Sequence, residues 1–246
     1  MKNIFIIIFL IFCICSQAQN IKPELQVYAA PGFFFEQLSS DILVPPEKRN
    51  HSRLGDVTSF AVQAAVPFKN QRWLVKGGIG FSERHYSLSK YSIGDFITSL
   101  FLFDSPLRKD SFAISYVRFT NNYFQVPVSF VYMLNKPVNG FHIYAGLNFR
   151  ADFLAKSNVE IDFDSAYKIP NASDINAAQK TYTANATKFV FTIEPYLEGS
   201  FTIYKKIGGF IQFRPLSFYS SALDKRLTTS TGELFSFTFG ASYSLK

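Results

Sequence analysis

Three histidines, His51, His85 and His142, are the residues of this chain best suited to acid–base chemistry. A histidine held between a serine and a carboxylate can activate the hydroxyl group as a nucleophile. Ser82 and Ser87 lie near His85 in the sequence, but serine is abundant and no spacing marks a complete set of nucleophile, base and orienting group. We therefore expect ordinary polar histidines and no enzymatic activity. A lipid hydrolase or acyltransferase, with His85 or His51 near a serine and a carboxylate, is the alternative.

A second candidate for chemistry is the acidic segment VEIDFDSAY, in which Glu160, Asp162 and Asp164 alternate with other residues. In an extended chain these carboxylates share one face, and Ca²⁺ prefers oxygen ligands of this kind. The segment has no glycine at a turn position and no distal glutamate, so calcium binding stays open. Both cysteines, Cys13 and Cys15, lie in the leader, which leaves the mature chain without a disulfide or a thiolate metal site. We expect no cofactor.

The first 18 residues have the pattern of a secretory signal peptide. Lys2 supplies the positive charge, residues 4–14 an apolar run, and Ser16-Gln17-Ala18 a cleavage site of small residues. The apolar run is shorter than the ~20 residues of a spanning helix. We expect cleavage after Ala18, which leaves one exported domain, 19–246, of 228 residues (246 − 18). Export and the scattered basic residues argue against a nucleic-acid partner.

After residue 18 the apolar residues recur with a period of two, which predicts strands. Short and long connections alternate, as in an outer-membrane barrel with short periplasmic turns and long outer loops. The predicted fold is all-β, an eight-stranded antiparallel up-and-down transmembrane β-barrel. Its strands are predicted at 24–35, 56–68, 72–87, 119–134, 140–154, 188–204, 209–219 and 233–246, with extracellular loops at 36–55, 88–118, 155–187 and 220–232.

The two faces of the predicted strands differ in a way that indicates which side meets lipid. In the last strand, LFSFTFGASYSLK, Phe237 and Phe239 alternate with Ser236, Thr238 and Gly240. Small polar residues suit a narrow barrel interior, and phenylalanine suits lipid. We expect outer-membrane lipid as a partner and an aromatic girdle beside the short turns. A soluble, periplasmic, lipocalin-like ligand binder, with its apolar face inside, is the alternative. The expected girdle residues are Phe68, Trp73, Tyr132, Phe141, Tyr204 and Phe210.

Charged residues on the inward faces need partners, because an unpaired buried charge is costly. Counting back from the short turns places Glu198 opposite Arg214 and brings Glu194 to the depth of Arg150. We predict Glu198–Arg214 and Glu194–Arg150 as structural ion pairs in the barrel interior, with Asp152, Lys76 and Arg84 as further members.

The second outer loop contains IGDFITSLFLFDSP, with Phe96, Leu100 and Phe103 spaced at i, i+4 and i+7. This spacing predicts a short amphipathic helix that caps the barrel, lies at the membrane surface or docks a protein partner.

The segment YFQVPVSFVYML resembles a strand of the PorT-like outer-membrane β-barrel domain family of Bacteroidetes. Tyr123, Val126, Pro127, Val128 and Tyr132 carry the resemblance, and the leader end SQAQ is typical of that phylum. The resemblance implies a Gram-negative outer-membrane protein, and some relatives are associated with type IX secretion and gliding motility. The sequence thus favours a non-enzymatic barrel with a structural or accessory role, with protein partners reached through its outer loops.

Overall fold

The computed structural model of the chain describes residues 23–38, 52–68, 72–89, 101–104, 111–135, 140–163, 169–184, 186–221 and 228–245. Within these residues, no helix is both long and apolar enough to cross a bilayer. The described residues form ten strands and one helix: β1 (Glu24–Leu38), β2 (Ser52–Phe68), β3 (Trp73–Ser89), β4 (Phe101–Asp104), β5 (Ser111–Met133), β6 (Phe141–Phe163), α1 (Ala172–Ala184), β7 (Phe189–Tyr204), β8 (Ile207–Arg214), β9 (Phe218–Ser221) and β10 (Thr228–Ser244).

The strands close into a barrel of eight walls, as predicted. Neighbours are antiparallel in the order β3-β2-β1-β10-β8-β7-β6-β5, and β3 also pairs with β5. β8 and β9 share one wall, and β4 is a short addition beside the start of β5. Following the register once around from Phe68 returns to β2 at Thr58, ten residues away (68 − 58). This stagger matches strands tilted by about 40°, and closure leaves no open edge in the membrane.

The apolar face points outward. Along β3 it runs from Trp73 to Phe81, eight residue steps (81 − 73), or ~20 Å across the membrane at this tilt. That height is close to the ~25 Å apolar band of membrane barrels. A lipocalin-like binder, with its apolar face inside, does not fit this arrangement. One row of directly paired phenylalanines crosses the lipid-facing side of five walls: Phe60, Phe81, Phe124, Phe153 and Phe189.

The periplasmic girdle is present, but one of its six expected residues is not part of it. The rings of Trp73 and Tyr132 lie 4.8 Å apart between the neighbouring strands β3 and β5. Phe210 was expected in the girdle, but it is 1% exposed and lies inside the barrel. Tyr204, also expected in the girdle, is 62% exposed. A register shift between Thr202 and Tyr204 interrupts the alternation at the end of β7.

The prolines that fall within predicted strands lie where the hydrogen-bond ladder is interrupted. The pairing of β3 with β5 has a gap opposite Pro127. β7 pairs with β9 up to Ile193 and with β8 from Leu197, and Pro195 lies between these stretches. Pro215 follows the end of β8 in the same interruption. Proline has no N–H to donate, which accounts for the missing ladder bonds at these positions.

The strands continue beyond the lipid-facing band, and there the two faces exchange character. β5 begins at Ser111 and β6 ends at Phe163, so parts of the predicted loops 88–118 and 155–187 are strand. We call residues 55–58, 83–89, 111–122 and 155–163, with α1, the outer tier, and the lower barrel the membrane tier. The interior of the outer tier is an apolar cluster that includes one residue of α1: Val57, Tyr86, Phe112, Ile114, Val117, Phe119, Val159 and Ala178.

Candidate functional site: an ion ladder in the lumen and a polar outer rim

On the described parts of the strands, seven charged side chains are buried in the barrel interior, each at most 3% exposed. The period of two that turns phenylalanine toward lipid turns these residues toward the axis. They come from β3, β6, β7 and β8, which face one another across the lumen. The seven are Lys76, Arg84, Arg150, Asp152, Glu194, Glu198 and Arg214.

The periplasmic half of this group is organised around Glu198. Lys76 Nζ donates to both carboxylate oxygens of Glu198, at 2.7 and 2.6 Å. Gln212 Nε2 donates to Glu198 Oε2 at 2.7 Å. Gln212 Oε1 in turn accepts a hydrogen bond from Arg214 Nη2 at 3.1 Å. The amide of Gln212 therefore links the Lys76–Glu198 pair to the next cation along the axis.

Glu194 is the centre of the network. Its Oε1 lies 2.9 Å from Arg150 Nη1, and its Oε2 lies 3.1 Å from Arg214 Nη1. Asn148 Nδ2 donates to Glu194 Oε2 at 2.7 Å, and Ser129 Oγ donates to Asn148 Oδ1 at 2.9 Å. One carboxylate thus holds two guanidinium groups, and neutral side chains complete its hydrogen bonding.

Asp152 links the remaining two cations. Its Oδ2 accepts from Arg150 Nε at 3.2 Å and from Arg84 Nη2 at 2.6 Å. The contacts form one continuous chain of alternating partners, which we call the ion ladder: Lys76, Glu198, Gln212, Arg214, Glu194, Arg150, Asp152 and Arg84. Its formal charge is +1, from four cations and three anions.

Aromatic rings cover three of the ladder cations. Arg84 lies 5.0 Å from the ring centre of Tyr123, and Lys76 lies 5.3 Å from that of Phe210. Arg214 lies 5.9 Å from the ring centre of Tyr28. Cation–π attraction is stronger where water is excluded, as at these buried positions. Phe210 shares the inward phase of Arg214 on β8, and from there its ring contacts Lys76.

Of the two expected ion pairs, one is present in the structure, and in the other the two residues have different partners. Glu194 and Arg150 are in contact. The register places Glu198 opposite Gln212, so the expectation that Glu198 faces Arg214 is wrong by two residues. The cause is the tight turn at Lys205 and Lys206 with the adjacent register shift, which moves β8 relative to β7.

The composition of the ion ladder limits the chemistry it supports. Three of its four cations are guanidinium groups, which stay protonated in proteins and cannot hand a proton onward. Its three carboxylates each accept at least two charged or amide donors at close range. The arrangement suits a network of salt bridges that holds the strands of the barrel together. The same side chains fill the lumen through which ions would have to pass.

At the outer rim, His85 is held between two side chains. His85 Nδ1 lies 3.1 Å from Thr120 Oγ1 of β5, and His85 Nε2 lies 2.7 Å from Glu83 Oε1. Ser82, considered from sequence as a partner, is inward and buried. Glu83 and Thr120 were missed. Glu83 shares a strand face with His85, which sequence spacing could have shown, but only the β3–β5 register brings Thr120 alongside.

His142 is not part of this group. His142 stacks on Tyr144 near the periplasmic end of the barrel, with ring centres 5.9 Å apart. His51 lies outside the described residues. Of the two described histidines, His85 is thus the one flanked by a hydroxyl and a carboxylate.

The calcium and loop-helix expectations fall partly outside the described residues. Glu160 and Asp162 lie in β6, where Glu160 Oε2 is 3.6 Å from Arg118 Nη1. A hydrogen bond with the Tyr116 hydroxyl raises the pKa of Arg118 above its ordinary value. Among the described residues, no three histidine, cysteine or carboxylate side chains are grouped to hold a metal ion.

Asp164, Phe96 and Leu100 lie outside the described residues. Phe103 lies in the strand β4, so a helix that includes it is wrong. Residues 101–104 pair with 111–114 of β5 as a hairpin, and this pairing replaces helical hydrogen bonds.

The chain is similar to known membrane barrels. The family model described as "Outer membrane protein beta-barrel domain" matches residues 17–238. Among solved structures, Neisserial surface protein A is similar at 8% identity and a TM-score of 0.39, over 91% of this chain and 97% of that one. Ail, the attachment invasion locus protein of Yersinia pestis, is similar at 11% identity and a TM-score of 0.28, over 90% and 99%. These two likenesses are too remote to carry a functional property. Among proteins with curated descriptions, none matches this chain.

Proposed function

Because the chain belongs to the family of outer membrane protein beta-barrel domains, we propose that it is a non-conducting barrel with a structural or accessory role in the outer membrane. The observation that carries this proposal is the ion ladder, whose charged side chains are buried and paired along the lumen. An eight-stranded barrel has an interior just wide enough for side chains to fill. In this role the lumen takes part in neither diffusion nor catalysis.

Conductance in planar lipid bilayers tests the non-conducting lumen. The folded protein is expected to give no discrete current steps, because every ladder cation is bound to a carboxylate or amide oxygen. The matched variant Lys76→Ala with Glu198→Ala removes both partners of the periplasmic pair, so it opens that end without leaving an unpaired charge. Steady porin-like steps from the unaltered protein would contradict the proposal.

The export route is a second part of the proposal. The leader pattern and the family membership support cleavage after Ala18 and insertion into the outer membrane. Amino-terminal sequencing of the protein from purified outer membranes is expected to begin at Gln19. Retention of the leader, or recovery of the protein in the soluble periplasmic fraction, would refute this part.

The resemblance of Tyr123–Tyr132 to PorT-like barrels supports a role in type IX secretion or gliding motility, with protein partners bound through the outer loops. Deletion of the gene in its own host is expected to reduce the secretion of type IX cargo or the spreading of colonies. Affinity purification from native outer membranes, with an unrelated barrel of similar size as the control, identifies the partners. Normal secretion and spreading in the deletion strain would remove this role and leave the non-conducting barrel intact.

A further inference from the structure

At the outer rim, on the outward face of two neighbouring strands, an imidazole contacts a hydroxyl through one ring nitrogen and a carboxylate through the other. When the proton of His85 is on Nε2, the ring donates to Glu83 Oε1 at 2.7 Å. Nδ1 is then free to accept the proton of the Thr120 hydroxyl, whose oxygen is 3.1 Å away. These are the distances and order of partners that a nucleophile, a general base and an orienting acid need.

A cavity of ≈ 430 Å³ opens beside this group. It is lined by His85 and Thr120 and also by Asp56, Arg118 and Glu160. Arg118 sits two residues from Thr120 on the same face of β5, and its side chain is 54% exposed. A guanidinium at this position can donate to an oxygen that becomes negative during attack on a carbonyl. The cavity therefore combines a nucleophile with a cation suited to a developing oxyanion.

The distance of the cavity from the lipid-facing residues along β3 and β5 places it near the membrane surface. His85 follows Phe81 by four residues on one face of β3, and Thr120 precedes Phe124 by four on β5. Phe81 and Phe124 are each 44% exposed on the lipid-facing row. Four residues correspond to ~13 Å along a strand, or about 10 Å across the membrane at this tilt. The group thus lies at the outer edge of the headgroup region.

We propose that Thr120, His85 and Glu83 form a hydrolytic site for carboxylic esters at the membrane surface. Thr120 Oγ1 bonds to the ester carbonyl carbon as His85 Nδ1 takes its proton, and His85 then protonates the departing alcohol oxygen as the C–O bond breaks. Water next attacks the acyl group on Thr120, giving its proton to His85, which returns it to Thr120 Oγ1. One ester and one water yield one acid and one alcohol. Glu83 is a positioning residue, because it acts only through His85.

Hydrolysis of two p-nitrophenyl esters by the purified, folded barrel in detergent micelles tests this site. The butyrate ester represents a water-soluble substrate, and the palmitate ester represents a lipid whose chain lies along the Phe81–Phe124 row. Thr120→Ala and His85→Ala are each expected to lower kcat/KM by about 10²–10⁴-fold. Thr120→Ser keeps a hydroxyl and is expected to retain activity. Glu83→Gln is expected to lower kcat while leaving KM unchanged.

Thr58→Ala is the matched control, because Thr58 lies opposite Glu83 on β2 and outside the cavity. Heat-modifiable migration in gels verifies that every variant is folded. Mass spectrometry after brief reaction is expected to find one acyl group on the peptide that contains Thr120. Preference for palmitate identifies a membrane lipid as the substrate source, and preference for butyrate a soluble ester. Absence of hydrolysis of both esters by the folded protein, or equal rates for Thr120→Ala and the unaltered chain, would overturn the proposal.

Discussion

The membrane tier and the outer tier are built from the same strands with opposite polarity. On β3, Phe81 faces outward and Ser82 inward within the membrane tier. Four residues after Phe81, in the outer tier, His85 faces outward, and the next residue, Tyr86, packs inside, stacked on Phe119 with ring centres 4.6 Å apart. The surroundings change from lipid to water between these positions, and the apolar side chains move from the outside of the wall to its interior.

This exchange shows that the β-barrel fold does not by itself require an apolar outer face and a polar interior. Each wall segment turns its apolar face away from water, so lipid on the outside leaves the lumen to polar groups. Beyond the lipid, water surrounds the wall, and the interior is the region shielded from it. The apolar cluster with α1 occupies this interior. The membrane tier is therefore held together by paired charges and hydrogen bonds, and the outer tier by apolar packing. The following substitutions test that difference.

The largest effect is expected from Glu194→Ala. The change leaves Arg150 and Arg214 buried without their shared carboxylate, which costs about 3–5 kcal/mol for a broken buried pair. Unfolding by denaturant in lipid vesicles measures the loss. The matched change in the outer tier, Glu160→Ala, removes an exposed acid, 72% exposed, and should cost no more than ~1 kcal/mol. Similar losses for the two variants would show that the ladder does not stabilise the barrel.

A comparable loss is expected from Phe119→Ala in the outer tier, but for a different reason. Phe119 is 0% exposed and stacked on Tyr86, so its removal opens a cavity and costs about 3–5 kcal/mol. Phe119→Leu keeps most of the volume and should cost less than ~1.5 kcal/mol. The same unfolding assay applies. Equal, small losses for both variants would mean that the outer tier is not packed as an apolar core.

An intermediate effect is expected where a charge is placed on the lipid-facing side. Val128 lies on the outward face of β5, midway between Phe124 and the girdle residue Tyr132, and Val128→Arg should cost about 2–4 kcal/mol near the middle of the bilayer. Asn158→Arg puts the same side chain on the outward face of the outer tier, where water surrounds it, and should change stability by less than ~0.5 kcal/mol. Comparable costs at the two positions would place the membrane boundary elsewhere on the wall.

The smallest effect on stability is expected from adding a methyl group to a glycine on either face of the membrane tier. A Cβ at Gly146 would lie 2.4 Å from the Tyr196 ring in the lumen, so Gly146→Ala should cost about 1–3 kcal/mol by overpacking. A Cβ at Gly77, on the lipid-facing side, would meet no atom within 4 Å. Gly77→Ala should therefore stay within ~0.5 kcal/mol of the unaltered protein in the same assay. A costly Gly77→Ala, with a harmless Gly146→Ala, would reverse the assigned faces.

The contrast between the two tiers also explains which strands and faces could be predicted from the sequence. In the membrane tier, alternation between phenylalanine and small polar residues gave the strands and their outward faces correctly. In the outer tier the same strands continue with the faces exchanged, and residues 111–118 and 155–163 were therefore predicted as loop. Phe103 is a similar case, because its spacing to Phe96 and Leu100 suits a helix while its pairing partner, Phe112, lies in another element.

What the sequence determined by itself is the property that repeats locally: a period of two, an outward apolar side, and tight turns alternating with long loops. Only the tertiary structure decided which side chains meet, because register depends on the turn at Lys205, the adjacent register shift and the ten-residue stagger of the closed barrel. Glu198 therefore binds Lys76 from the far wall, and Thr120 reaches His85. Alternation is a property of one strand, whereas contact across a barrel is a property of all eight walls together.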